Sequence, residues 1–133
     1  MQGAFLNDGR YNMKGYFGAL YTSLELDTAK HEMDRYYTVP PKDGFTAAEI
    51  HLQLTQVVDL TDRMVLHLAG AKIRSLVADD HTVCQEIGRM AWEAGIEALK
   101  VPSAALDGKT NMALLLDNQR PGWTIGLLSA APY

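Results

Sequence analysis

The sequence predicts an α+β fold, with a mixed sheet core and short flanking helices. Strand-like segments outnumber helix-like ones and do not alternate with them regularly, which argues against a doubly wound parallel sheet. The chain has 133 residues, the usual size of one domain, and a chain of that length buries roughly two-thirds of its unfolded surface. Its 47% hydrophobic and 21% charged composition is that of an ordinary globular protein. No repeat, linker or low-complexity tract divides it, so a single domain over residues 1–133 is expected.

Each element follows from local chemistry. Asn7-Asp8-Gly9 is a turn signal, from which Arg10 emerges. Phe17 to Thr22 reads as a strand with Phe17, Ala19 and Tyr21 on one face. Thr22-x-x-Glu25 has capping-box spacing, and Leu26, Ala29, Met33 and Tyr36/Tyr37 repeat at helical intervals, giving a helix that ends before Pro40-Pro41. Ile50, Leu52 and Leu54 alternate with His51, Gln53 and Thr55, a half-buried strand running on to Val57-Val58. A short helix is expected over Leu60 to Ala69. Thr82-x-x-Gln85 offers a second capping box, and Cys84, Ile87, Ala91 and Ala94 line one face of a helix that stops at Gly95. Three short strands follow, Glu97 to Val101, Met112 to Leu116 and Trp123 to Leu128.

Composition excludes several functions. A formal charge of −4 with scattered Lys and Arg argues against nucleic-acid binding, which needs clustered cations. The single Cys84 excludes an internal disulfide and multi-cysteine zinc sites, and fits a reducing cytoplasm; no metal is expected. No run approaches the length of a membrane span, and the N-terminus lacks the pattern of a secretory signal. There is no phosphate-loop motif and no G-x-G-x-x-G after a strand. Ser103, in Val-Pro-Ser-Ala-Ala, lacks the glycines of a nucleophile elbow. The histidines at 31, 51, 67 and 81 show no zinc-protease spacing, and His51 points to solvent on its strand. Cys84 on an inner helix face reads as a small core residue.

The stretch Gly9 to Arg35, "GRYNMKGYFGALYTSLELDTAKHEMDR", places Arg10, Tyr21 and Glu32 at two equal intervals of eleven around one apolar strand. Singly, each has an ordinary reading: a solvated charge for Arg10, a core ring for Tyr21, a surface ion pair with Arg35 for Glu32, and a loop hydroxyl for Ser103. A turn, a strand and the first turns of a helix can also fold the three onto one cleft. Glu32 lies one helical step from both Ala29 and Tyr36, at the border of the apolar face.

In combination the residues are more specific. "GRYNMKGYFGALYTSLELDTAKHEM" resembles the opening of the RES domain family: a glycine-arginine-aromatic-asparagine turn, a strand ending in tyrosine, then a helix carrying glutamate. The arginine, glutamate and serine for which the family is named fall on Arg10, Glu32 and Ser103. A second block, "TVCQEIGRMAWEAGIEALKVPSAALDGKTNMALLLDN", is similar to the family's helix, short strand, Pro-Ser-Ala turn and following asparagine, here Asn111. The resemblance spans roughly Gly3 to Asn118.

The resemblance implies a fold similar to ADP-ribosyltransferase toxins and an activity on NAD as substrate. It implies a bacterial toxin that cleaves the nicotinamide–ribose bond by phosphorolysis or hydrolysis, the alternative being mono-ADP-ribosylation of a cellular protein. The implied partner is an antitoxin with an Xre-like region that covers the active site. On this reading Arg10 binds the pyrophosphate, Tyr21 stacks on the nicotinamide and Glu32 stabilises the ribosyl cation. Tyr11, Ser103 and Asn111 join Arg10 and Tyr21 in holding the dinucleotide. Two departures stand out. Relatives usually carry a further N-terminal segment before the glycine-arginine turn, which this chain is expected to lack. Many also follow the asparagine with histidine-proline near the end, where this chain has Asn118-Gln119-Arg120-Pro121, so no acceptor-activating role is assigned there.

Overall fold

The computed structural model describes residues 9–13, 16–36, 46–118 and 124–132, with the backbone alone described for 34–36, 46–50, 52 and 124–132. In chain order the elements are β1 (Ala19–Ser23), α1 (Leu26–Tyr36), β2 (Thr46–Gln53), β3 (Val57–Asp59), α2 (Arg63–Ala69), α3 (Ile73–Leu76), α4 (Thr82–Glu93), β4 (Ala98–Pro102), β5 (Thr110–Leu115), a short 3-10 turn (Leu116–Asn118) and β6 (Thr124–Pro132). Four strands form a mixed sheet in the order β1-β5-β4-β3, antiparallel except for the parallel β3–β4 pair. β2 and β6 pair antiparallel in a separate sheet, with a register break between Glu49 and Ile50. This is the expected α+β architecture.

Because strand side chains alternate in direction, the four-stranded sheet has two distinct faces. On one face Ala19, Leu99, Val101, Ala113 and Leu115 join Leu66, Leu76, Cys84, Ile87 and Ala91 from the helices in the main core. On the other, Ala98, Met112 and Leu114 pack with Leu20, Leu54 and Leu116. Leu76, Leu99 and Leu115 are fully buried, and each contributes about 1.5–3 kcal/mol relative to exposure. The first face does not stay apolar. Following the two-residue period, β1 carries Tyr21 and Ser23 after Ala19, and β5 carries Asn111 before Ala113, with Ser23 directly opposite Asn111. Ser103 lies two residues beyond Val101, just past the end of β4. One end of the helix-covered face is therefore polar.

α4 forms because Cys84, Ile87 and Ala91 give it a buried stripe. Gly95, at φ +78°, ends it: the Gly95 N–H donates to Trp92 O at 3.1 Å and the Ile96 N–H to Ala91 O at 3.0 Å. Asn118 Nδ2 also donates to Trp92 O and Ile96 O, at 3.0 and 2.8 Å. The Trp92 ring stacks on Phe17, with centroids 5.1 Å apart.

Four local expectations are corrected. The strand expected from Ile50 to Val58 is two strands in different sheets, because the buried Glu97 carboxylate turns the chain between them. Its Oε1 accepts from Thr55 N at 3.1 Å, Thr55 Oγ1 at 2.7 Å and Gln56 N at 2.9 Å. Neither capping box forms. Thr22 stays in β1 and donates from Oγ1 to Met112 O at 3.3 Å, while Glu25 faces Lys109 Nζ at 3.3 Å. At α4 the N-cap position is His81, with no side-chain cap bond, and Thr82 is held by the preceding Asp80, whose Oδ1 accepts from Thr82 N at 2.9 Å and Thr82 Oγ1 at 2.6 Å. The helix expected from Leu60 starts at Arg63, capped by Asp62 Oδ1 on Met64 N at 2.8 Å and ended by Gly70 at φ +70°. The short α3 was not expected at all. The Asn7-Asp8 turn residues, the segment around Pro40-Pro41, Trp123 and the Gln119 to Pro121 tract lie outside the described residues.

Candidate active site

The turn that carries Arg10 is built by close approach. A Cβ on Gly9 would stand 2.4 Å from Asn12 Oδ1, 2.5 Å from the Tyr21 hydroxyl and 2.6 Å from Tyr21 Cε2, so only glycine fits. The Gly9 N–H closes the turn on Asn12 O at 2.9 Å. Two residues of α4 dock it. Gln85 Nε2 donates to Gly9 O at 3.2 Å. Gly88 presents bare backbone to the Tyr11 carbonyl, which a Cβ would meet at 1.8 Å.

Arg10 is half-buried, not a solvated charge. Its Nη1 donates to Leu76 O at 3.1 Å and to Ala78 O at 2.5 Å. These carbonyls lie at and just past the C-terminus of α3, where a helix leaves acceptors without internal partners and favours positive charge. One amino group is thus fixed in place, and the buried Cys84 thiol is a further side-chain partner of the guanidinium.

Tyr21 has two environments. The residue is 41% exposed, yet its hydroxyl donates to Asn12 Oδ1 at 2.5 Å and accepts from the Tyr11 N–H at 2.9 Å. Asn12 is buried, and its Nδ2 donates to Phe17 O at 3.3 Å. Burial pushes the Tyr21 phenol above its usual range, outweighing the backbone hydrogen bonds from Tyr11 and Asn12 that pull it down. The hydroxyl therefore anchors the turn in its protonated form, and the ring is the surface left for a ligand. Tyr11, expected to hold substrate beside Arg10, is instead a core residue at 1% exposure.

Glu32 sits half-buried on α1. Its Oε1 accepts from Ser103 Oγ at 2.6 Å and from Asn111 Nδ2 at 3.0 Å. The Ser103 hydroxyl in turn accepts the N–H groups of Ala105 and Leu106, both at 3.2 Å, which folds the loop after β4 around it. Asn111 Oδ1 accepts from Ser23 Oγ at 2.6 Å. The carboxylate is thus held by a chain of hydrogen bonds reaching from the loop through β5 to β1. The expected Glu32–Arg35 pair involves a side chain outside the described residues.

The structure therefore brings Glu32, Ser103 and Asn111 into direct contact and gathers Arg10 and Tyr21 on the Gly9–Asn12 turn. The two groups share β1, where Tyr21 and Ser23 are two residues apart on one face. Ser103 and Asn111, expected on substrate oxygens, have their polar atoms engaged with Glu32, the loop and Ser23. Sequence reading missed Ser23, Gln85 and Gly88. Ser23 was legible in principle, because it follows Tyr21 by one strand period. Among the described residues no group of three or more His, Cys, Asp or Glu is arranged to hold a metal. No helix there is long and apolar enough to cross a membrane.

The family follows from comparison with known proteins. The RES domain model matches residues 1–125. The chain belongs to the RES domain family. A curated Mycobacterium tuberculosis relative named "Probable NAD(+) phosphorylase" is 31% identical over 114 residues, covering 81% of this chain and 53% of that protein. The RES chain thus spans about half the length of the curated relative it matches. Its fold is also that of a chain in the crystal structure of the M. tuberculosis MbcT–MbcA toxin–antitoxin complex, with a TM-score of 0.82 at 21% identity over 98% of this chain and 74% of that one.

Proposed function

We propose that this RES domain is an NAD-consuming toxin that cleaves the nicotinamide–ribose bond, with phosphate or water as the acceptor. The observation that carries the reading is the Glu32 carboxylate, held by Ser103 at 2.6 Å and Asn111 at 3.0 Å on the same sheet face as the exposed Tyr21 ring. The named activity of the M. tuberculosis relative supports the substrate class.

Chemically, the C1′–N bond breaks and its electron pair leaves with nicotinamide, which departs neutral. The ribose carbon becomes cationic and is captured by a phosphate or water oxygen. A carboxylate aimed at that carbon stabilises the charge as it develops; removing one such aimed group commonly costs about 3–4 kcal/mol of the barrier. Both positioning bonds converge on Oε1 of Glu32, so Oε2 is assigned to the ribose side. The flat Tyr21 ring takes the nicotinamide by stacking. The Arg10 guanidinium, a planar and always-charged fork already fixed through Nη1, takes the pyrophosphate. No resident metal or cofactor is invoked. A partner of the family's Xre-like antitoxin type would silence the domain by covering this face.

The test is incubation of purified protein with labelled NAD, with and without phosphate. Loss of NAD with release of nicotinamide and label in ADP-ribose 1″-phosphate is the expected result for phosphorolysis, and free ADP-ribose for hydrolysis. Label retained on a protein would assign ADP-ribosyl transfer instead, and no loss of NAD would remove the reading altogether.

A further inference from the structure

We infer that Ser23 is a positioning residue for Glu32, acting through the orientation of the Asn111 side-chain amide; this rests on the NAD-cleaving reading of the site. The reasoning starts from the symmetry of an amide. An asparagine side chain has a donor end and an acceptor end of nearly equal size, and either can face a neighbour. Facing a carboxylate, only the NH2 end is favourable; the carbonyl end would set acceptor against acceptor. The carboxylate thus selects the NH2 end, and a donor on the carbonyl end adds to that bias and holds the amide at a second point.

Ser23 supplies that donor. It lies directly opposite Asn111 in the β1–β5 register, where facing side chains are close enough to bond. With Asn111 Nδ2 on Glu32 at 3.0 Å, Oδ1 is the acceptor left for Ser23 Oγ at 2.6 Å. The hydroxyl can donate to Oδ1 with ideal roles on both sides, and the amide then points its NH2 at the carboxylate. Without the hydroxyl the amide loses its anchor at Oδ1 and can rock about its bond to Glu32, loosening that bond. Glu32 would keep Ser103 as its one fixed donor, and a carboxylate held at one point can swing about it. The three side chains come from three elements, β1, β5 and α1, so the relay links the sheet to the helix that carries the acid.

The inference predicts a kinetic signature distinct from a contact with NAD. Ser23→Ala lowers kcat for nicotinamide release about tenfold, the order expected when one hydrogen bond to a charged group is loosened, and leaves KM near the wild-type value. Ser23→Thr, which keeps the hydroxyl and suits a strand, restores most of kcat. In an Asn111→Ala background Ser23→Ala has no further effect, because its route to Glu32 is already cut. Unchanged kcat in Ser23→Ala, or an equal loss with and without Asn111, would overturn the relay.

A second readout separates this inference from the reading beneath it. In the intact isotope-labelled chain, the Asn111 side-chain amide proton signals, assigned by their loss in Asn111→Ala, shift in both Ser23→Ala and Glu32→Gln. If they stay in place in Ser23→Ala, the relay fails whether or not the protein consumes NAD. If they shift while the wild type leaves NAD intact, the relay stands as a structural device and the function assigned to the site falls.

Discussion

Replacing Gly88 by alanine is the sharpest test of how the Arg10 turn is held. On its own, Gly→Ala inside a helix stabilises by about 1 kcal/mol, because glycine loses more backbone freedom on folding. Here the added Cβ would stand 1.8 Å from Tyr11 O, 2.8 Å from Tyr11 C and 3.3 Å from Tyr11 Cα, where ordinary contact begins at 3.4 Å. The atoms met are backbone, so no side chain can swing aside. The turn is also tied to α4 by Gln85 on Gly9 O, and Arg10 is tied to Leu76 and Ala78. Helix and turn must part by more than an ångström, breaking those bonds and opening the packing around Tyr11. Overpacking of this kind costs about 1–3 kcal/mol, and lost buried hydrogen bonds add to it. The propensity gain is outweighed, leaving a net loss of about 2 kcal/mol or more, equivalent to roughly 5–10 °C in Tm for a domain of this size. Urea unfolding gives the stability, and initial rates at graded NAD give the second readout, a raised KM as Arg10 shifts. A Gly88→Ala protein as stable as the wild type, with the same KM, would refute the close-packed turn.

Other outcomes follow from the same geometry. Ser103→Ala removes a donor to Glu32 and leaves the Ala105 and Leu106 N–H groups without their acceptor; it should cost about 1–3 kcal/mol in denaturation and lower kcat, whereas a rise in KM alone would make Ser103 a substrate contact. Tyr21→Phe keeps the ring but strips Asn12 Oδ1 and the Tyr11 N–H of their shared partner, so stability falls while KM for NAD holds; Tyr21→Ala raises KM, and equal KM values for the two variants would contradict stacking. Burial raises the Tyr11 and Tyr21 phenols above their ordinary value of 10.0. Above that pH the unfolded chain loses their protons and the folded chain does not, so the stability these groups contribute is complete below pH 10 and is lost as pH rises through their folded values. In an absorbance titration of the folded protein, Tyr11→Phe and Tyr21→Phe should leave the step near pH 10 unchanged; a smaller step in either variant would contradict the burial.

Much of the fold was readable because the apolar periods are clean. The stripe of Cys84, Ile87 and Ala91 and the stop at Gly95 give α4 almost to the residue. What failed was anything set by a distant partner. The Thr22 and Thr82 capping boxes have the right spacing, but strand pairing keeps Thr22 in β1 and the nearer Asp80 carboxylate takes Thr82. The break between β2 and β3 depends on Glu97, some forty residues away, and has no local signal. At the site, residue types pointed to Glu32, Ser103 and Asn111 as a group. Their division of labour was invisible, because which hydroxyl faces substrate and which faces a neighbour is settled only by packing. Tyr11 shows the same limit: beside Arg10 in sequence, it turns the opposite way, into the core.

Glu32→Gln tests the central claim most directly. The amide oxygen can still accept from Ser103 and Asn111, so the side chain keeps its place and loses only its charge. With purified protein, NAD and phosphate, nicotinamide release should fall about 10²- to 10³-fold while Tm stays near that of the wild type. Release at the wild-type rate would mean that the charge at position 32 does not act on the ribose, and the proposed chemistry would be wrong.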